Sequence, residues 1–247
     1  MGDIPLVELV DIRKSFGAVV ALQGVDLTLG RGEVLGLVGD NGAGKSTLMK
    51  ILAGSVQQDS GEIRVNGESV RFANPSEAQH HKIGIVYQDL ALCESLDVAG
   101  NLFLGREPTV GPFLKRKEMH ETAARVLSDF GVSVKSTHQL VGELSGGQRQ
   151  SVAITRAAFT NPSVLILDEP TAALAVAEVE SVLALIRDVA SKGVGVILIT
   201  HRLQDLFRVC DRVTAMYEGQ SVEDALIGDL DIESLVAMIT REGKDRK

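Results

Sequence analysis

Apolar and polar positions alternate with a period of two through residues 6–12 and again through residues 25–29, and a glycine-flanked turn at 30–32 follows. Strands with one wetted face read this way, so an antiparallel N-terminal sheet is predicted. The pattern then changes. Residues 33–38 are nearly all apolar, as a strand buried on both faces requires, and a glycine-rich stretch leads into helical periodicity over about 45–53. Three further short β-branched or leucine-rich runs, at 83–87, 164–167 and 194–200, are each followed by polar residues and helical patterning. A mostly parallel sheet flanked by helices accounts for them. Between the first two of these runs, residues 97–103, 115–130 and 147–159 read as helices, with no comparable strand run for about 70 residues. This predicts an α-helical subdomain inserted at about 89–158.

Composition narrows the picture. A chain of 247 residues fits one large domain, because single cores stop growing at roughly 250–300 residues. Residues 1–247 are therefore read as one α/β domain, ending in a charged tail at 241–247. With 45% hydrophobic residues and a mean hydropathy of +0.14, no run approaches the roughly 18 apolar residues that span a bilayer. The N-terminus lacks a basic segment leading into a long apolar run, and Leu6 stands where a myristoylation signal needs Ser or Thr. A cytoplasmic protein without its own anchor is expected. A net charge of −8 gives no general attraction to nucleic acid or anionic lipid. Cys93 and Cys210 lie far apart and outside any CxxC spacing, so neither a zinc site nor a disulfide framework is suggested.

The chemistry begins at Gly39-Asp-Asn-Gly-Ala-Gly-Lys-Ser-Thr47, which matches GxxxxGK[ST] between a buried strand and a helix. Gly39, Asp40, Asn41, Gly42, Ala43 and Gly44 let the backbone curl so that successive N–H groups face a polyphosphate. Lys45 can reach the β and γ phosphates, Ser46 is placed to ligate magnesium, and Thr47 continues the helix start. An ordinary glycine turn would need neither the lysine nor the hydroxyl pair. Residues 164–169, Val-Leu-Ile-Leu-Asp-Glu, form a buried strand ending in two acids at the edge where open α/β folds bind ligands. Asp168 is read as holding the magnesium shell and Glu169 as the general base that polarises the attacking water. MgATP hydrolysis is the activity expected.

The segment Leu144-Ser-Gly-Gly-Gln-Arg-Gln150 resembles the signature motif of ABC-type ATPases, and the other motifs of that family occur in order: Gln88, Asp168-Glu169 and His201. The resemblance covers almost the whole chain. It implies a P-loop NTPase core with a mostly parallel sheet, an N-terminal antiparallel β-subdomain and an inserted α-helical subdomain. It also implies that Ser145, Gly146, Gly147 and Gln148 of one subunit cap the ATP held by the phosphate loop of another. Gln88 would contact magnesium and water and sense the transport partner. His201 would orient the γ-phosphate and lytic water, and Phe16 occupies the place of the adenine-stacking aromatic. Packing in the core is the other reading of Phe16.

One position departs from the family: Ala175 stands where many members carry the aspartate that links the two ATP sites. The chain is similar to ribose/xylose/fructose-type sugar importer ATPases there, at Gly39-Asp-Asn-Gly42, at residues 87–93 and at Asn101-Leu-Phe-Leu-Gly105. Each motif occurs once, so the resemblance implies a homodimer, bound at the inner face of the membrane to permease subunits that a periplasmic solute-binding protein feeds. Leu90, Leu92, Leu96 and Val98 are read as a groove for a cytoplasmic helix of the permease, with core packing as the other reading. After Met216 the chain is too short for the C-terminal β-domain of maltose-type ATPases. A soluble relative such as an iron-sulfur assembly ATPase is the alternative, separated from sugar import by the similarity between Tyr87 and Gly105.

Overall fold

The computed structural model describes residues 4–240, and the expected charged tail at 241–247 lies outside them. The first half contains β1 (Val7–Phe16), β2 (Val19–Leu29), β3 (Val34–Val38), α1 (Lys45–Leu52), β4 (Ser60–Val65), β5 (Glu68–Val70), α2 (Pro75–His80), β6 (Ile83–Val86), α3 (Val98–Phe103), β7 (Thr109–Val110), β8 (Phe113–Leu114) and α4 (Arg116–Asp129). The second half contains α5 (Gly146–Ala158), β9 (Val164–Asp168), α6 (Val176–Ser191), β10 (Gly195–Ile199), α7 (Leu203–Val209), β11 (Arg212–Tyr217), β12 (Gln220–Leu226) and α8 (Ile232–Thr240).

The central sheet has the order β12-β11-β3-β10-β9-β6, parallel throughout except for β12. The runs 34–38, 164–167 and 195–199 of its inner strands β3, β9 and β10 carry no polar side chain because each face meets a different layer. Leu35, Leu37, Val164, Ile166, Ile197 and Ile199 point into a cluster with α1 and the N-terminal sheet. Their neighbours Val34, Val38, Leu165, Leu167, Val196 and Leu198 point the other way, onto α5, α6, α7 and α8. This is the two-residue period of a strand, read on both faces.

The N-terminal sheet is antiparallel, of order β2-β1-β4-β5. β1 runs to Phe16 and β2 starts at Val19, so the hairpin is longer than the alternation at 6–12 and 25–29 predicts. Its tip, including Phe16, Val19 and Val20, is exposed, and with no face buried the alternation is lost. Helices α3, α4 and α5 enclose a third apolar cluster, in which Val98, Leu102, Met119, Leu127, Val141, Leu144 and Val152 are buried. Within the expected helical subdomain, β7 and β8 pair as a two-stranded ribbon, which is not a strand run comparable to those of the central sheet. Two residues per strand are too few to print a period.

Candidate functional site

Four parallel strands, in the spatial order β3-β10-β9-β6, deliver their carboxyl ends to one edge of the sheet. The register is level: Ile199 pairs with both Leu37 and Asp168, and Val86 pairs with Leu167. Just past these rungs the chain emerges as the 39–47 loop, His201, Asp168-Glu169 and Gln88. Topology brings together groups that sequence spreads over about 160 positions, at the edge where ligands bind in open α/β sheets.

The loop is built for close backbone approach. Gly39 sits at φ 145°, and a Cβ there would meet the Met216 carbonyl oxygen at 2.2 Å, so no other residue fits. Gly44, also left-handed, hands the chain into α1 without a capping side chain, which leaves the first N–H groups of that helix free for an anion. Lys45 is buried, and its Nζ donates to the carbonyls of Gly39 (2.6 Å) and Asp40 (2.9 Å). The ammonium thus spans the loop where polyphosphate would lie. Burial pushes its pKa down, against the opposing pull of Glu169, Asp40 and Asp168.

Glu169 leaves β9 with φ 52°, a left-handed conformation uncommon for a residue with a side chain, and its N–H donates to the carbonyl of Ile199 at 2.9 Å. That turn presents Glu169 Oε1 at 3.2 Å from His201 Nε2, with the glutamate side chain 13% exposed and the imidazole 60%. Oε1 is buried without a hydrogen-bond partner, an acceptor aimed into the site. Burial raises the Glu169 carboxyl above its ordinary range. His201 opposes that rise, Asp168 reinforces it and Lys45 opposes it. The Asp168 carboxyl is also raised by burial, against Lys45, His201 and Lys50. Such a site holds two acids and a cation poised for a charged ligand.

Ser46 and Gln88 are exposed at this edge, one in the first turn of α1 and the other after β6. With the Asp168 carboxylate they supply hydroxyl, amide and carboxylate oxygens, the hard donors that suit magnesium. Phe16 is 49% exposed with the Lys14 ammonium 5.4 Å from its ring centre, so it is not packed in the core. Ser145 caps α5: its Oγ accepts from the N–H of Gln148, and the Gln148 side chain accepts from the Ser145 N–H, forming a capping box.

Residues 22–172 match the family model described as ABC transporter. The chain belongs to the ABC transporter family. It is 40% identical over 235 residues to the xylose/arabinose import ATP-binding protein XylG of Sulfolobus acidocaldarius, covering 95% of this chain and 94% of that one. It is 39% identical over 236 residues to the ribose import ATP-binding protein RbsA of Halalkalibacterium halodurans, covering 95% of this chain and 47% of that one. The chain thus spans about half the length of the ribose-type relatives it matches. Among solved structures it resembles a nucleotide-free ATP-binding cassette from an ABC transporter, with a TM-score of 0.83, 28% identity and coverage of 97% and 96%. A dimeric post-hydrolysis cassette bound to ADP and Pi matches with a TM-score of 0.76, 25% identity and coverage of 90% and 98%.

Within this ABC cassette the signature glycines have distinct surroundings. A Cβ on Gly147 would lie 2.5 Å from Cβ of Glu178, so the glycine lets α5 approach α6. Helix packing is thus a reason for Gly147 in its own right, beside the nucleotide contact that the resemblance implies. Ala175 precedes α6 and has no side-chain acceptor. Its N–H instead donates to Glu178 Oε2 at 3.1 Å.

The expected leucine groove needs correction. Val98 is fully buried in the helical cluster and Leu90 and Leu92 pack against core, leaving Leu96 exposed. A cleft of about 700 Å³ lies alongside instead, lined among others by Tyr87, Asp89, Leu90, Leu104, Gly105 and Arg106.

Sequence reasoning also missed a buried brace behind the candidate site. Asp205 on α7 accepts a 2.6 Å hydrogen bond from Thr171 Oγ1 and pairs with Arg202 at 3.4 Å. Its signal was a lone acid four residues after His201, which reads as a helix-surface charge until burial is known.

Proposed function

We propose that this chain binds and hydrolyses MgATP to drive import of a monosaccharide through a membrane permease. The observation that carries this reading is the pairing of the buried Glu169 carboxylate with His201 on neighbouring strand ends, beside a phosphate-binding loop. Backbone N–H groups of residues 39–47 cradle the phosphates, and Lys45 exchanges its loop carbonyls for the β and γ oxygens. Ser46, Gln88 and Asp168 would hold magnesium, which would supply neutralising charge to the transferring phosphoryl group. Glu169 accepts the proton of the attacking water, and His201 fixes the orientation of that water and the γ-phosphate. Phe16 stacks on adenine.

A second copy completes the site, its Ser145, Gly146, Gly147 and Gln148 closing over the nucleotide. The dimeric cassette among the structural relatives supports that arrangement. The 700 Å³ cleft beside Gln88 takes a cytoplasmic helix of the permease, and a solute-binding protein delivers sugar outside. No described helix is long and apolar enough to cross a membrane, so this reading places the chain at the cytoplasmic face through the permease. A pentose-type solute is favoured by the ribose and xylose/arabinose relatives, against an iron-sulfur assembly role.

Glu169→Gln tests the base. The amide keeps size and polarity but cannot take the proton, so turnover should fall about 10²- to 10⁴-fold with MgATP binding intact. Activity within about threefold of wild type would overturn the assignment. Ser145→Arg should keep monomer binding while abolishing turnover and its dependence on protein concentration. Sugar uptake in cells carrying the permease, lost with Glu169→Gln, separates transport from a soluble role.

A further inference from the structure

Away from the catalytic edge, three metal-ligating side chains converge on the surface of the helical subdomain. Asp97 caps α3, its Oδ1 accepting the Gly100 N–H at 2.6 Å, and its Oδ2 faces His120 Nε2 on α4 at 3.7 Å. The His138 ring stacks on that of His120, with centroids 3.6 Å apart and planes inclined by 23°. One ligand atom from each residue lies within 4.8 Å of the others.

We propose that Asp97, His120 and His138 bind a divalent transition-metal ion of the Zn²⁺ and Co²⁺ class. Two imidazoles and a carboxylate are the donor set such ions prefer over magnesium or calcium. The 3.7 Å between Asp97 Oδ2 and His120 Nε2 is too long for a hydrogen bond. It is close to the separation of about 3.3 Å between two ligands each about 2.0–2.1 Å from a tetrahedral ion. Thr137 Oγ1 lies 3.1 Å from His120 Nδ1, and the tautomer that donates Nδ1–H to this hydroxyl would present an unprotonated Nε2 toward Asp97. His138 is exposed, and a rotation of its ring away from the stack would bring a nitrogen into the shell.

Bound metal would staple three segments: the start of α3, the middle of α4, and the 136–140 strip whose carbonyls at Thr137 and Gln139 accept from Ala99 and Val98. That strip ends five residues before Ser145. The ion therefore stiffens the support of the signature without touching the ATP site.

Chelator-treated, nucleotide-free protein is titrated with Co²⁺, following visible absorption, and then with competing Zn²⁺. Melting is recorded with Zn²⁺ and with EDTA. One equivalent with nitrogen-oxygen tetrahedral absorption is expected, with a melting temperature several degrees higher with Zn²⁺. His120→Asn and His138→Asn should each weaken binding more than about tenfold and remove the thermal shift. Cys93→Ser should change neither. Both histidine variants should melt like wild type in EDTA. If His120→Asn fails to fold, the exposed His138→Asn decides alone. No uptake by the wild type, uptake unchanged in His138→Asn, or uptake lost in Cys93→Ser overturns the site.

Discussion

Thr171 Oγ1 donates a 2.6 Å hydrogen bond to the buried carboxylate of Asp205, joining the turn after Glu169 to the helix after His201. The same carboxylate pairs with Arg202, whose N–H is held by Thr200 Oγ1 at 3.1 Å. The segments carrying Glu169 and His201, past the ends of two neighbouring strands, thus share one anchor. Asp205→Ala leaves a buried hydroxyl without its acceptor, a loss of about 1–3 kcal/mol. Melting should drop by several degrees. The rate constant kcat should fall more than the affinity for MgATP, because Glu169 and His201 lose their mutual position while the phosphate loop is untouched. Equal losses in binding and turnover would contradict this.

The raised Glu169 carboxyl sets a pH dependence. A general base works ionised, so activity falls as pH drops through its pKa, and burial places that pKa above the ordinary glutamate value of 4.5. The acid limb of kcat/KM should therefore lie above pH 4.5. His201 opposes the rise. His201→Ala should move the limb of the residual activity to still higher pH, and an unmoved limb would show that another group titrates.

Gly147→Ala tests the packing of the signature helix. The added methyl has backbone-borne Cβ of Glu178 2.5 Å away, so α5 must back off from α6. Overpacking of this kind costs about 1–3 kcal/mol, and the melting temperature should fall accordingly. ATPase activity should fall with it while monomeric nucleotide binding persists.

Leu92 and Leu96 should part company. Leu92→Gln places an amide against two apolar clusters and should lower the melting temperature, whereas Leu96→Gln at an exposed position should leave it unchanged. If the 700 Å³ cleft takes the permease helix, exchange of its exposed rim residue Leu104 for Gln should abolish sugar uptake with soluble ATPase activity intact.

The sheet was legible because strand segments such as 164–167 are buried on both faces and print an unbroken apolar run. The phosphate loop was legible because its constraint is local. What the chain did not print were relations made only by folding. Examples are the exposed half of the first hairpin, the burial of Val98 where a partner surface was expected, the brace at Asp205 and the meeting of Asp97 with two histidines. Each depends on what lies across from a residue, and one-dimensional periodicity has no access to that.

Helix α5 has 13 residues, so it is a rod about 20 Å long. One end is Ser145 and the glycines after it. Near the other, Arg156 donates at 2.8 Å to the carbonyls of both Leu90 and Ala91, two and three residues beyond Gln88. A rigid strut bolted at both ends transmits displacement without needing a hinge. On the proposed dimer, a shift at Ser145 would reach the carbonyls of Leu90 and Ala91 that line the cleft, and a load applied in the cleft would reach Ser145.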